Sequence, residues 1–181
     1  MTRASSPHST IATQASPRAL PLLTLLLTDR CNSRCVSCDY WRTGTRDLDI
    51  ESVATLLPQL AALRTRLVLF SGGEPLLNPQ WQLIAELLRS HGLRLWLLTS
   101  GLSLAKHANT VAALFESITV SLDGASAASY QAIRGLNAFD TVCRGIELAA
   151  PQVHTTIRVT VQRGNFRELS GLVELARRLG V

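Results

Sequence analysis

The chain has 181 residues, 46% of them hydrophobic and 17% charged: enough apolar material for one buried core, and too little charge for a chain disordered throughout. Its net charge is +5, and acids such as Asp29, Asp39, Asp47 and Asp49 are scattered among the arginines, with Lys106 the single lysine. This reads as a mixed solvated surface, so composition calls for neither a nucleic-acid partner nor an anionic membrane surface. No stretch approaches the roughly 20 apolar residues of a membrane span; residues 20–27 are too few and run into Asp29 and Arg30.

Residues 1–19 are rich in Ser, Thr, Ala and Pro and contain no acid. That composition resembles a transit peptide, but an N-terminal disordered tail is the reading adopted. Residues 20–27 then form the first expected strand, which enters a cysteine-bearing loop. Asp49 is placed to cap a helix reaching about residue 63, with Glu51 in its first turn, and Pro58 is expected to kink or divide it. A second strand, 66–70, ends in Ser71-Gly72-Gly73-Glu74-Pro75. The helix over 79–90 places Trp81, Ile84, Leu87 and Leu88 on its apolar face. A third strand, 93–98, ends in Thr99-Ser100-Gly101.

A helix over 104–115 and a strand over 118–122 follow. A polar segment leads through Gly135 to a helix with Phe139, Val142, Cys143, Ile146 and Ala149 at helical spacing. The fifth strand covers 154–161, and Asn165 reads as the N-cap of the last helix. That helix sets Phe166, Leu169, Leu172, Val173, Ala176 and Leu179 on one face. The expected division is a tail over 1–19 and a single α/β domain over 20–181.

Strands alternating with helices imply βα units and a parallel sheet. All the unusual residues fall where a strand ends: the cysteines, SGGEP, TSG, SLDG and QRGN, in that order. In a parallel β/α barrel such points converge on one mouth, where these folds place their chemistry. The first of these loops reads CNSRCVSC, so Cys31, Cys35 and Cys38 stand at C-x3-C-x2-C spacing. Soft thiolates select iron–sulfur clusters, zinc or copper. Three of them can each hold one iron of a [4Fe–4S] cube and leave the fourth iron open, while a structural zinc would want a fourth ligand. Cys143, on an apolar helix face, reads as an ordinary core cysteine, and His8, His91, His107 and His154 are scattered. Spacing alone leaves cluster and zinc both open. Thiols gathered in one loop rather than distributed as a disulfide framework imply a reducing, cytoplasmic setting.

With the cysteine loop, the second-strand SGGEP, and SLDG followed by Arg134-Gly135, the sequence resembles the radical S-adenosylmethionine (SAM) superfamily over residues 21–181. The likeness extends to the branch containing peptide- and cofactor-maturing enzymes. The resemblance implies a partial (β/α) barrel, a [4Fe–4S] cluster on Cys31, Cys35 and Cys38, and SAM chelated to the open iron. It implies close backbone approach at Gly72 and Gly73, a Glu74 carboxylate accepting from the SAM ammonium, and Ser121 and Arg134 addressing the SAM carboxylate. Thr99 and Ser100 would touch SAM from the third-strand loop, and Asp123 would orient the ribose or brace the SLDG turn. The position before the third cysteine, often aromatic in the family, is Ser37, with Tyr40 and Trp41 as stand-ins. Reductive cleavage of SAM would give a 5′-deoxyadenosyl radical that takes hydrogen from an unidentified substrate, with a peptide or a cofactor precursor as the class the likeness suggests. A flavodoxin- or ferredoxin-type electron donor is implied. The family barrel commonly has six strands and only five are read here, so a truncated product or an excerpt is expected. The rival readings are a non-catalytic iron–sulfur or zinc module and an RNA- or nucleotide-modifying relative.

Overall fold

The computed structural model describes residues 18–181; the tail assigned to the N-terminus falls almost wholly outside them. Five strands, β1 (Leu22–Thr28), β2 (Leu67–Gly72), β3 (Arg94–Thr99), β4 (Ser117–Ser121) and β5 (His154–Arg158), form one parallel sheet in the order β1-β2-β3-β4-β5. Each crossover steps to the next strand and the order never reverses. With crossovers of one hand, that keeps the helices on one face and curls the sheet, whereas a doubly wound sheet reverses its order midway. The architecture is the partial β/α barrel expected from the alternation.

The strands divide their residues by parity. Leu25 and Leu27, Val68 and Phe70, Leu95 and Leu97, and Ile118 and Val120 are buried in the core. The alternate residues, including Leu26, Trp96, Thr119 and Thr156, lie on the concave face. Against the convex side pack α2 (Ile50–Ala62), α3 (Trp81–Ser90), α4 (Leu104–Leu114), α6 (Phe139–Ala149) and α7 (Leu169–Leu179). Two shorter helices, α1 (Tyr40–Thr43) and α5 (Ala127–Arg134), lie in the loops after β1 and β4. Among the described residues no helix is long and apolar enough to cross a membrane.

Several expectations need correction. Pro58 does not divide α2, which runs unbroken through it from an Asp49 cap whose side chain accepts from Ser52 N. Pro58 and Ala54, whose carbonyl loses its partner, are both exposed, so water can satisfy that group. The polar segment before Gly135 contains α5, closed by a capping box between Ser126 and Ser129 and ended by Gly135 at φ 74°. Those cap residues were the available signal.

Strand β5 stops at Arg158, not Val161, because the Thr160 N–H turns to donate to Asp123 Oδ1. The last helix buries Leu172, Leu175 and Leu179 and leaves Phe166, Leu169 and Val173 exposed. Residues Phe166–Glu168 form a separate 3-10 turn, which takes Phe166 out of the helix, while Leu172 and Leu179 of the expected face are buried. Asn165 makes no side-chain cap. It is buried instead, donating to the carbonyls of Asp123 and Thr160 and accepting from Gln162 N.

Candidate cluster and cofactor site

The cysteine loop leaves β1 and is fastened at its base by Arg30. Its guanidinium bonds Asp47 at 2.7 and 3.0 Å and the Leu77 carbonyl at 2.7 Å, joining three segments. Buried Asn78 donates to the carbonyls of Leu27 and Leu48 at 2.7 and 2.8 Å, which fixes the end of β1. Further along, the loop docks on the C-terminal end of α5: Arg34 N donates to Arg134 O and Val36 N to Ile133 O, both at 3.0 Å. These bonds satisfy helix-end carbonyls that would otherwise lack partners. Gly135 makes the docking possible, since a Cβ at its positive φ would fall on the Arg34 carbonyl. Gly135→Ala is therefore expected to cost at least about 1 kcal/mol from the left-handed backbone alone. It should also lift the cysteine loop; thermal melting and cluster content of reconstituted protein measure the two effects.

Glu74 follows the two glycines and is fully buried. Its carboxylate accepts from Thr99 Oγ1 at 2.7 Å, from Ser100 N at 2.6 Å and from Leu76 N at 3.3 Å. Thr99 Oγ1 in turn accepts from Gly101 N, and Ser100 Oγ bonds Asn32 in the cysteine loop at 3.2 Å. Glu74 thus ties the ends of β2 and β3 together and, through Ser100, to the cysteines. Oε1 accepts two of these bonds and Oε2 one. Gly73 provides close approach of a different kind: its N–H donates to Thr28 O at 2.7 Å, and a Cβ would collide with Arg30 O.

Asp123 braces the turn after β4. Its Oδ1 accepts from Thr160 N at 2.7 Å, and its Oδ2 pairs with Arg134 Nη1 at 3.2 Å. Arg134 also reaches Ser33 in the cysteine loop at 3.4 Å, while its buried Nε has no partner. Burial disfavours the guanidinium charge, but the neighbouring Cys35 thiol and Asp123 carboxylate outweigh that and hold Arg134 above its ordinary pKa. Burial likewise pushes the thiols of Cys31 and Cys35 up. Ser33, Asn32 and Asn78 carry no signal in the sequence because their partners lie far away along the chain.

These groups share one cavity of about 470 Å³. Cys31, Cys35 and Cys38 line it together with Gly72, Gly73, Thr99, Ser100, Ser121, Asp123 and Arg134. Of the predicted site residues only Glu74 lies behind its wall. Ser37 and Tyr40 also line it and Trp41 does not. Cys143 is remote on α6, half-buried, its thiol pushed up to about 11 chiefly by burial. None of His91, His107 and His154 lines the cavity.

The residues fit the group that the motif implies. Three cysteines lining one cavity supply the soft donors that an iron–sulfur cluster takes. The orphaned Arg134 Nε and the Ser121 hydroxyl, which bonds no other side chain, leave polar capacity near the thiols.

A parallel partial barrel with a thiol-bearing loop at the C-terminal mouth of its strands defines a cofactor-binding α/β protein of the barrel class. The radical SAM superfamily matches residues 25–176, and the chain belongs to that superfamily, an enzyme family whose members bind a [4Fe–4S] cluster and SAM. It is 32% identical over 177 residues to an AdoMet-dependent heme synthase of Methanosarcina barkeri, covering 94% of this chain and 50% of that protein. It is 30% identical over 165 residues to the mycofactocin maturase MftC of Mycobacterium tuberculosis, covering 87% of this chain and 42% of the relative. GTP 3′,8-cyclase 1 of the same species is 34% identical over 170 residues, with 86% and 47% covered. The chain therefore spans about half the length of the curated relatives it matches. Among solved structures, Streptococcus suis SuiB bound to SAM superposes with a TM-score of 0.79 at 13% identity, over 91% of this chain and 39% of SuiB. SuiB bound to its precursor peptide SuiA gives the same score, over 91% and 38%.

Proposed function

We propose that this chain is the SAM-cleaving core of an enzyme that modifies a peptide or a cofactor precursor. The observation that carries the reading is the single cavity shared by the three thiols, Gly72-Gly73, the Thr99-Ser100 loop, Ser121 and Arg134. Cys31, Cys35 and Cys38 hold the cluster, each on one iron. With cluster and SAM bound, the pair supplies a one-electron cleavage that gives methionine and a 5′-deoxyadenosyl radical, the source of hydrogen abstraction. Gly72 and Gly73 present backbone to the methionine end of SAM. Arg134, held by Asp123 and Ser33, and the Ser121 hydroxyl receive its carboxylate. Thr99 and Ser100 form the wall beside them, positioned by Glu74, and Tyr40 shields the adenine side in place of the aromatic residue that Ser37 replaces.

A maturase substrate is supported by the likeness to MftC and to SuiB with its bound peptide, and a cofactor precursor by the heme synthase likeness. A small one-electron donor, flavodoxin or ferredoxin, working in the reducing cytoplasm completes the assignment. The test is anaerobic reconstitution with iron and sulfide, followed by reductant and SAM. A brown, iron-loaded protein that releases 5′-deoxyadenosine is the expected result. Zinc uptake without colour, or a full cluster yielding no 5′-deoxyadenosine, would refute it.

A further inference from the structure

The concave face of the sheet is chemically two-sided. Its β1–β3 half presents Leu26, Trp96 and Leu98, with Leu26 and Trp96 exposed. Its β4–β5 half presents hydroxyls, Thr119 and Thr156 side by side at 3.5 Å. At the top of the β5 column stands Arg158, paired in register with Ser121 across the β4–β5 ladder. Alternation fixes its direction: Thr155 and Ile157 turn towards the helices, so Arg158 shares the concave face with Thr156 and Ser121. Arg158 and Thr160 both line the cavity that holds the thiols.

Three charged side chains other than the cysteines line that cavity: Asp123, Arg134 and Arg158. The first two neutralise each other at 3.2 Å. Among the described residues the Arg158 side chain has no hydrogen-bond or salt-bridge partner, and it is exposed. An arginine fork held over a row of hydroxyls, in a cavity that Leu98 also lines, complements an anionic oxygen group joined to an apolar body.

We propose that Arg158 is a specificity-determining residue that receives a carboxylate or phosphate of the substrate, whose apolar part lies against Leu98. The assignment rests on the SAM-site reading, because it places the substrate beside bound SAM. It differs from that reading in giving Arg158 to the substrate and not to SAM.

The test is site-resolved phenylglyoxal labelling read by mass spectrometry, on the full chain before and after anaerobic reconstitution with SAM. The probes are inorganic pyrophosphate and butyrate, with chloride at equal ionic strength as the control. Pyrophosphate or butyrate should slow labelling of Arg158 at least about fivefold beyond chloride, as a fork-held anion would; the more protective arm identifies phosphate or carboxylate as the source. SAM should leave Arg158 labelling unchanged and protect Arg134. In Arg158→Gln, SAM affinity by calorimetry should stay within about twofold while pyrophosphate or butyrate binding is lost; Arg158→Lys, which keeps charge but not the fork, should recover part of it. Protection of Arg158 by SAM alone, or a tenfold loss of SAM affinity in Arg158→Gln, would assign the residue to SAM and overturn the proposal. Protection by neither probe beyond chloride would overturn it too. Absence of a cluster or of SAM binding in the wild-type chain would instead refute the cofactor reading, which the labelling before reconstitution does not depend on.

Discussion

Replacing Cys35 by alanine is expected to leave the reconstituted protein without a stable cluster and without 5′-deoxyadenosine formation. The thiol stands at the middle of the loop, beside Arg134, and under the proposed ligand set its loss would leave one iron of the cube without a protein ligand. Outer-shell changes at metal sites typically cost roughly 10–100-fold, so loss of a direct ligand should cost more. Iron and sulfide analysis together with the visible charge-transfer absorption measures occupancy, and product assay measures cleavage. Cys143→Ala is the matched control. Its thiol lies on α6 outside the cavity, so the cluster should be kept in full. A Cys35→Ala protein with wild-type iron and sulfide would remove the residue from the ligand set.

Glu74→Ala should lower stability and SAM affinity together, since the carboxylate is a strut between loops. The substitution leaves the Thr99 hydroxyl and the Ser100 and Leu76 N–H groups without their acceptor, in a fully buried place. Hydrogen bonds to a charged group contribute about 1.5–3 kcal/mol each and do not simply add, so a loss of roughly 3–5 kcal/mol is expected. For a domain of this size that corresponds to a Tm lower by roughly 10 °C. Glu74→Gln keeps the shape and one acceptor oxygen but turns an NH2 towards a donor, and should lose about half as much. Calorimetric melting set beside SAM binding separates two roles. If Glu74→Gln melts like the wild type yet binds SAM far more weakly, the side chain contacts the cofactor directly and the strut assignment fails.

Much of this architecture was open to inspection in the sequence because it is written in local periods. Short apolar runs mark the strands, and 3–4 spacing marks α3 and α6. Placement of SGGEP, TSG and SLDG at successive strand ends foretold a shared mouth, since parallel strands all deliver their C-terminal ends to one side. The errors also have local causes. Helix α5 was hidden by its polar composition, although Ser126 and Gly135 bracket it with cap chemistry. Of the apolar face expected on the last helix, Leu172 and Leu179 are buried while Phe166, Leu169 and Val173 are exposed, since spacing alone does not say how far round the helix the sheet reaches. Asn165 was read as a cap when its partners, Asp123 and Thr160, are brought to it by the β4–β5 pairing.

For the site itself, the sequence by itself determined which chemical groups stand at the strand ends. Thiols at that spacing, paired glycines after a strand and an arginine after SLDG are chemical facts that need no coordinates. Only the tertiary structure decided what those residues hold on to. It showed Glu74 as a buried tie between loops, gave both Asp123 oxygens partners within the fold, and made Gly135 the seat of the cysteine loop. It also left Arg158 as the uncompensated charge at the mouth. The physical reason is that residue type and spacing fix what a group is able to bind, while the groups competing for its lone pairs and protons come from strands and helices far away in sequence, and only folding brings them within hydrogen-bond reach.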